Sequence, residues 1–380
     1  MTTEARRGRG RRLAVFAIVM AIQFGVFEVG LRTWGSSEAA PSFQGLFIND
    51  PAIGYRLKPG ARIRFATVEF DTAIAVNAAG VRDDEEIGPK LPDERRILIL
   101  GDSLVLSVQV PFKQTFGELL EARLNAAPSR YRYRVINGGV QGYGPVEELL
   151  FFRSIVSAVQ PDLVIETLFV GNDAEDAVTS EARLSGETRS TTGAMRDSAA
   201  TRLRRLVRRS MVLQVLRLRV QAATDRFTGS LAPPEPPLQS YAANAAPRIA
   251  RGLTIVRRTV DQLTADAAAA GARTAVMLMP ARFQVDDADY GRLREAVAQA
   301  GGELVRDGAT RRFEAALDGM PAPRFDVLPA LRRALPGPDL FFQQTVHLTP
   351  RGHQVVAEAL EQFLRQSSLI DQRPDPPARR

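Results

Sequence analysis

The stretch Arg96-Ile97-Leu98-Ile99-Leu100-Gly101-Asp102-Ser103-Leu104 constrains this chain more than any other. Its four consecutive apolar residues, Ile97 to Leu100, read as a short strand buried on both faces, the kind found in parallel sheets covered by helices. The run enters Gly-Asp-Ser, and Val110-Pro111 turns the chain into a helix-compatible stretch. A serine placed there stands at the carboxyl end of a parallel strand, where open α/β sheets put their ligands. Backbone N–H groups at the following helix start can also receive a negative oxygen. Two readings follow. Either this is an ordinary strand-ending turn, or Ser103 is a nucleophile whose partners come from later segments.

The chain beyond repeats the pattern. A helix is predicted over Thr115–Asn125, with Phe116, Leu119, Leu120 and Leu124 on one face. The strand Tyr133–Ile136 ends in a glycine-rich loop, Asn137 to Gly144. A helix over Glu147–Val159 leads to the strand Leu163–Val170, which finishes at Gly171-Asn172-Asp173. After an interruption at 174–250 come a helix over Ile249–Ala270, a strand over Thr274–Met279 and a short strand at Phe325-Asp326-Val327. The last helix, His353–Leu364, turns Val355, Val356, Ala359, Leu360 and Phe363 inward. Strands alternating with helices at this spacing predict an α/β fold with a doubly wound parallel sheet.

At the N-terminus Arg6, Arg7, Arg9, Arg11 and Arg12 precede an apolar run, 13–31, close to the ~20 residues that span a bilayer as a helix. Arginines before the run and only Arg32 just after it predict an N-in, C-out orientation, with Trp34 at the outer interface. The competing reading is a signal peptide cleaved near Ser37-Glu38-Ala39. Both readings put the rest of the chain outside the cytoplasm, in the periplasm if the source has two membranes. The segment 32–92 is rich in turns and partial alternation, with strands expected over Ile63–Phe70 and Thr72–Val76, and reads as a small β-rich lead-in.

Composition narrows the chemistry. The chain has no cysteine, which excludes disulfides and thiolate catalysis, and only two histidines, so a multi-histidine metal site is not expected. Any imidazole base must be His347 or His353. The net charge of +7 gathers in the first dozen residues and in the interruption, where Arg202–Arg219 mixes arginine with leucine and valine at helical spacing. That segment reads as a solvated surface helix, a lid or a membrane-surface helix. No nucleic-acid-binding pattern accompanies the charge, and no nucleotide-phosphate loop is present.

Ser103, the Gly138–Gly144 loop and Asn172 therefore converge on one crevice at three strand ends. Acyl transfer needs these types: a hydroxyl nucleophile activated by a base, and positioned donors for the tetrahedral oxyanion. The Ser103 N–H, a loop glycine N–H and the Asn172 amide can supply three donors. His353, at a helix start, reads as a structural donor. Asp102 and Asp173 read as braces for their turns, and Phe283, Asp286, Asp287 and Asp289 as a solvated acidic loop.

Four blocks in order make the chain resemble the SGNH (GDSL-type) hydrolase superfamily. They are Gly101-Asp102-Ser103-Leu104, Asn137-Gly138-Gly139-Val140-Gln141-Gly142, Gly171-Asn172-Asp173, and Val346-His347-Leu348-Thr349-Pro350-Arg351-Gly352-His353. The lead-in, with Asn77-Ala78-Ala79-Gly80-Val81-Arg82-Asp83, resembles a membrane-anchored bacterial subgroup. The resemblance implies a three-layer, flavodoxin-like α/β/α domain over 93–366, carrying the insertion 174–250. Before it lie a basic cytoplasmic start at 1–12, the transmembrane anchor at 13–31 and the lead-in; after it comes a disordered tail at 367–380. It implies Ser103 as nucleophile, His347 as general base, and Gly142 and Asn172 in the oxyanion hole, with no cofactor. One position departs from the pattern. Where the family has aspartate three residues before the base, this chain has Gln344. Gln344 through its side-chain oxygen, Asp339, or a main-chain carbonyl are the candidates for orienting His347, and losing the acid of a serine-protease triad costs roughly 10⁴ in rate. The resulting expectation is a membrane-anchored, extracytoplasmic serine esterase acting on a small ester or O-acylated glycan. The alternatives are an O-acetyltransferase of envelope glycans and a catalytically impaired glycan-binding protein.

Overall fold

Strand β5 (Glu94–Gly101) carries the apolar run into the interior of a five-stranded parallel sheet, because a strand without a polar face must be covered on both sides. The computed structural model describes residues 19–20, 23–26, 43, 45–67, 69–126, 129–185, 238–336 and 339–370. The chain divides into two units. Met1–Ser42, Ala66–Val68 and Thr191–Ala232 form one, nearly all of it outside the described residues. Phe43–Phe65, Glu69–Ser190 and Pro233–Arg380 form the other, which holds the sheet and the site.

The sheet runs β6 (Arg132–Gly139), β5, β7 (Leu163–Phe169), β8 (Arg273–Met279), β9 (Arg324–Asp326), all parallel. Counted within the sheet this is the order 2-1-3-4-5, the doubly wound arrangement whose switch point falls between β5 and β7. Alternate residues of one strand serve different layers. Leu98, Leu100, Ile136 and Val164 pack with Phe151, Phe152 and Ile155 of helix α3 (Pro145–Val159) and with the lead-in. Ile97, Ile99, Val135 and Ile165 pack with helix α2 (Phe116–Asn125) and the C-terminal helix. Those three layers make an α/β/α sandwich.

The strands are close to their expected positions, but several boundaries moved. β6 extends through Asn137-Gly138-Gly139, which pair with Ile99, Leu100 and Gly101, so the glycines begin inside the sheet rather than in a loop. A four-residue helix, α1 (Ser103–Leu106), starts at the serine itself. Helix α4 (Asp173–Leu184) fills the start of the interruption, and α5 (Pro247–Ala269) follows it. The last helix, α10 in chain order (Pro350–Gln366), begins at Pro350 rather than His353: Thr349 caps it, accepting the Gly352 N–H at 3.3 Å, and Pro350 takes the first helical position. The tail does not begin at 367. Leu369 and Ile370 are buried in the core, and Arg273 donates to the Ser368 carbonyl at 2.8 Å.

Ahead of the sheet, β1 (Phe47–Asp50) pairs with β2 (Gly54–Leu57) antiparallel, and β3 (Arg62–Ala66) pairs with β4 (Asp71–Ala75). Among the described residues no helix is long and apolar enough to cross a membrane. Of the expected span 13–31 only 19–20 and 23–26 are described, and they are helical; the basic start, Arg202–Arg219 and residues 371–380 lie outside the described residues.

Candidate active site

Ser103 stands, half-buried, where β5 ends at the carboxyl edge of the sheet. Asp102 accepts the Leu104 N–H at 2.8 Å and so caps α1, bracing the turn as the sequence suggests. Ser107, in the left-handed conformation, closes α1 by donating its N–H to the Ser103 carbonyl at 2.8 Å. The segment after it hangs on the lead-in. The fully buried guanidinium of Arg82 donates to the carbonyls of Leu106, Ser107 and Val110 at 2.7, 2.5 and 2.7 Å.

The glycine segment lies against this turn. Asn137 donates its side-chain amide to the Val105 carbonyl at 2.7 Å and accepts the Gly139 N–H at 3.0 Å, and the Val140 N–H reaches the Gly101 carbonyl at 3.0 Å. Position 139 requires glycine: a Cβ there would meet the Val105 carbonyl carbon at 2.7 Å and the Leu106 nitrogen closer still. Gly142 has φ of +72°, a conformation other residues adopt only with strain. The Tyr55 hydroxyl, from β2, donates to the neighbouring Gln141 carbonyl at 2.7 Å and holds the loop from outside. Across the switch point, Asn172 follows β7 and donates its side-chain N–H to Asp176 at 2.8 Å, while its Oδ1 is buried without a partner. Asp173 braces this turn, accepting the Phe169 N–H at 2.8 Å.

His347 sits in the connection that enters α10. The residue is half-buried, yet both ring nitrogens are buried and without a hydrogen-bond partner, and burial pushes its pKa down to about 4. Neither proposed orienting side chain reaches it. Asp339 accepts from the Gln343 amide at 3.1 Å, and Gln344 is exposed, with its main-chain N–H held by Glu69 at 2.9 Å. Nor is there a hydrogen bond between Ser103 and His347. His353 is a buried acceptor rather than a donor: its Nδ1 takes the Phe116 N–H at 3.2 Å, and burial, then the Arg82 and His347 charges, hold its pKa at about 3.

Sequence reading missed the acids beneath this edge. Glu148 on α3 and Glu166 in β7 are both fully buried, and their carboxylates face one another with no N–H or O–H donor. A hydrogen bond between them requires a proton on one. Burial raises both pKa values, Glu166 to about 7, and their mutual charge pushes Glu148 well above its usual range. Asp173 is likewise raised, by burial and then by the Asp102 and Asp176 charges, and Asp102 rises to about 7 mainly through burial. Glu166 is the one charged residue in an otherwise apolar strand run, and that interruption is the signal the sequence offered.

Residues 238–378 match the family model described as ALGX, SGNH hydrolase-like domain, acetyltransferase AlgX. Over that span the chain is similar to an SGNH hydrolase-like domain. The matched span includes the His347 connection and α10, and ends the resemblance short of Ser103, Gly142 and Asn172, which precede it. No curated protein matches the chain. Solved structures similar to it include TesA, with 12% identity over 72% of this chain and 99% of that one and a TM-score of 0.40. Others are a catalytic mutant of Axe2, an acetylxylan esterase from Geobacillus stearothermophilus (13% identity, 73% and 96% coverage, TM-score 0.39), and the esterase EstA from Pseudoalteromonas sp. (13%, 73% and 100%, 0.38).

A groove of about 760 Å³ between α5 and the helix Gly308–Ala316 touches none of Ser103, Gly142, Asn172 or His347. No cluster of three acidic, histidine or cysteine side chains among the described residues can hold a metal ion. The acidic run after β8 enters a helix rather than a loop, and of its acids Asp287 is solvated while Asp289 is not. Asp286 caps a helix, Asp289 is buried between Arg282 and Arg292, Asp287 pairs with Arg306 at 2.6 Å, and Phe283 is core, packed edge-on against Tyr241.

Proposed function

We propose that this SGNH hydrolase-like domain is a serine esterase acting on an O-acyl, and specifically an O-acetyl, carboxylic ester. The observation that carries the reading is the meeting of Ser103, the Gly142 loop and Asn172 at the ends of β5, β6 and β7, around the switch point of the sheet. Ser103 Oγ attacks the ester carbonyl while its proton passes to His347. The low pKa of His347 keeps the imidazole neutral at pH 7, free to accept that proton. The oxyanion takes the N–H groups of Ser103 and Gly142 and the second N–H of Asn172, whose first is already fixed on Asp176. The alkoxide leaves with the proton from His347. Water, activated by the same imidazole, then releases the acyl group and restores Ser103.

A second reading replaces that water with a sugar hydroxyl, and the family description, which names an acetyltransferase, favours it. The N-terminal arginines and apolar run support an anchored domain facing the periplasm, where O-acylated envelope glycans are the available substrate class. The experiment is hydrolysis of p-nitrophenyl acetate by the full chain beside Ser103→Ala, together with fluorophosphonate labelling and mapping of the adduct. Hydrolysis lost in Ser103→Ala, with the adduct on Ser103, is expected. Equal rates from the two proteins and an unlabelled Ser103 would leave a glycan-binding protein as the better reading. Acetyl transfer to a glycan outpacing hydrolysis would select the transferase.

A further inference from the structure

Among the described residues no side chain hydrogen-bonds the ring nitrogens of His347, so its position is set by the main chain that carries it. That main chain is held from two sides. The Glu69 carboxylate, from the lead-in, accepts the N–H groups of both Gln343 and Gln344, at 2.7 and 2.9 Å. On the carbonyl side, Arg282 donates from one guanidinium nitrogen to the carbonyls of Phe342 and Gln343, at 3.1 Å each, and is itself paired with buried Asp289. The Phe342 ring packs on Phe70, the residue after Glu69, with centroids 5.3 Å apart. Within the connection the Phe342 N–H closes on the His347 carbonyl at 3.0 Å, and the Thr349 N–H on the Leu340 carbonyl at 2.9 Å. The loop dipoles thus lie between an anion on their N–H side and a cation on their carbonyl side, the arrangement that makes each hydrogen bond charge-assisted.

We infer that Glu69 is the positioning residue for His347, acting on the main chain of Gln343 and Gln344 where the family pattern has a side-chain acid on the imidazole. The second of its two N–H contacts is on the very residue, Gln344, that stands in the acid's place. An acid clamped to the backbone fixes where the imidazole sits. It adds no charge to the ring, and burial alone accounts for the depressed pKa of His347. As a role in catalysis this rests on the esterase reading, but the clamp itself is a statement about His347 and has its own readout.

The chain has only two histidines, so selective imidazole labelling of the full chain gives two resolvable titrations by NMR. In the unaltered protein burial is expected to hold both well below an ordinary imidazole, His347 at about 4 and His353 at about 3. In Glu69→Ala the released loop lets water reach the ring, and His347 moves toward the ~6.5 of a hydrated imidazole. His353 stays in place and reports an intact fold. Glu69→Gln keeps one carbonyl acceptor but turns an amide N–H toward the other donor, and its shift falls in between. In the esterase assay Glu69→Ala lowers kcat by about tenfold to a hundredfold, the cost of a misplaced base, and leaves KM within about twofold. A His347 titration unchanged in Glu69→Ala overturns the inference. If Glu69→Ala does not fold, an unshifted His347 in Glu69→Gln overturns it equally. Should Ser103→Ala prove as active as the unaltered chain, the esterase reading falls, while the NMR titration still decides the clamp.

Discussion

Arg82 gives the sharpest energetic prediction, because a charged side chain without a carboxylate partner is holding up the chain that follows Ser103. Its guanidinium donates three hydrogen bonds to main-chain carbonyls. Hydrogen bonds from a charged donor contribute roughly 1.5–3 kcal/mol each, so the three together contribute about 5–9 kcal/mol gross. Burial opposes them. It lowers the pKa from 12.5 to about 10, and at 1.36 kcal/mol per decade that is a penalty of about 3 kcal/mol. The Ser107 carbonyl keeps a second donor, the Val110 N–H at 3.2 Å, but those of Leu106 and Val110 have no such substitute among the described residues. Arg82→Met retains the apolar stem and removes all three donors, which predicts a net loss of about 2–6 kcal/mol. Equilibrium urea unfolding followed by far-ultraviolet circular dichroism measures it. Fluorophosphonate labelling of Ser103 should slow in the same variant, since residues 106–110 continue directly from α1. A loss below about 1 kcal/mol, less than one such bond, would refute the account of Arg82 as the support of this segment.

Two further outcomes follow from the interior. Glu148 and Glu166 have folded pKa values raised above their unfolded ones, so the stability they contribute is full below pH 4.5 and is lost as pH rises toward and through about 7; the melting temperature of the unaltered chain should fall relative to that of Glu148→Gln/Glu166→Gln across that window, whereas parallel curves would dismiss the shared proton. In α5, a Cβ at Gly252 would lie 2.5 Å from the Ala174 carbonyl carbon and closer to its oxygen, so Gly252→Ala should push α4 and Asn172 away and cost about 1–3 kcal/mol. Gly291→Ala, on an open helix face with nothing within 4 Å, should be neutral or raise the melting temperature slightly, and similar losses from both alanines would contradict the steric argument.

What the sequence made legible follows from what each element depends on. Strands β5 and β7 declared themselves because a strand buried on both faces is an apolar run, whatever its neighbours. Helix α1 did not: four residues carry no periodicity, and its existence depends on a cap at Asp102 and a left-handed Ser107. Asn137-Gly138-Gly139 carries the residues of a loop, yet Gly139 serves close approach of β6 to Val105 and Leu106, and Gly138 its approach to Ile99, which no local pattern encodes. Asp289 looked solvated because its arginine partners, Arg282 and Arg292, lie on either side of it along the chain and only the fold closes them over it. Glu69 was invisible for the same reason at greater distance, being 274 residues from Gln343.

The lead-in therefore belongs to the site as much as the sheet does. Open α/β folds usually draw their functional loops from the strand ends alone, and the sheet then suffices to place them. Here each of three such segments is tied to the lead-in by a different group: the Gly142 loop by Tyr55, the chain after Ser103 by Arg82 and by Thr72, whose hydroxyl donates to the Val108 carbonyl at 2.5 Å, and the His347 connection by Glu69. All but Glu69 act as donors to main-chain carbonyls, and Glu69 accepts from main-chain N–H groups. By these hydrogen bonds the lead-in acts on backbone, not on the side chains of Ser103, Asn172 and His347. That division explains how an imidazole without an acid beside it can still occupy a defined place. It also explains why the segment before the first sheet strand is packed into the same hydrophobic cluster as Leu98, Leu100 and Ile136, the residues that set the height of the strand ends.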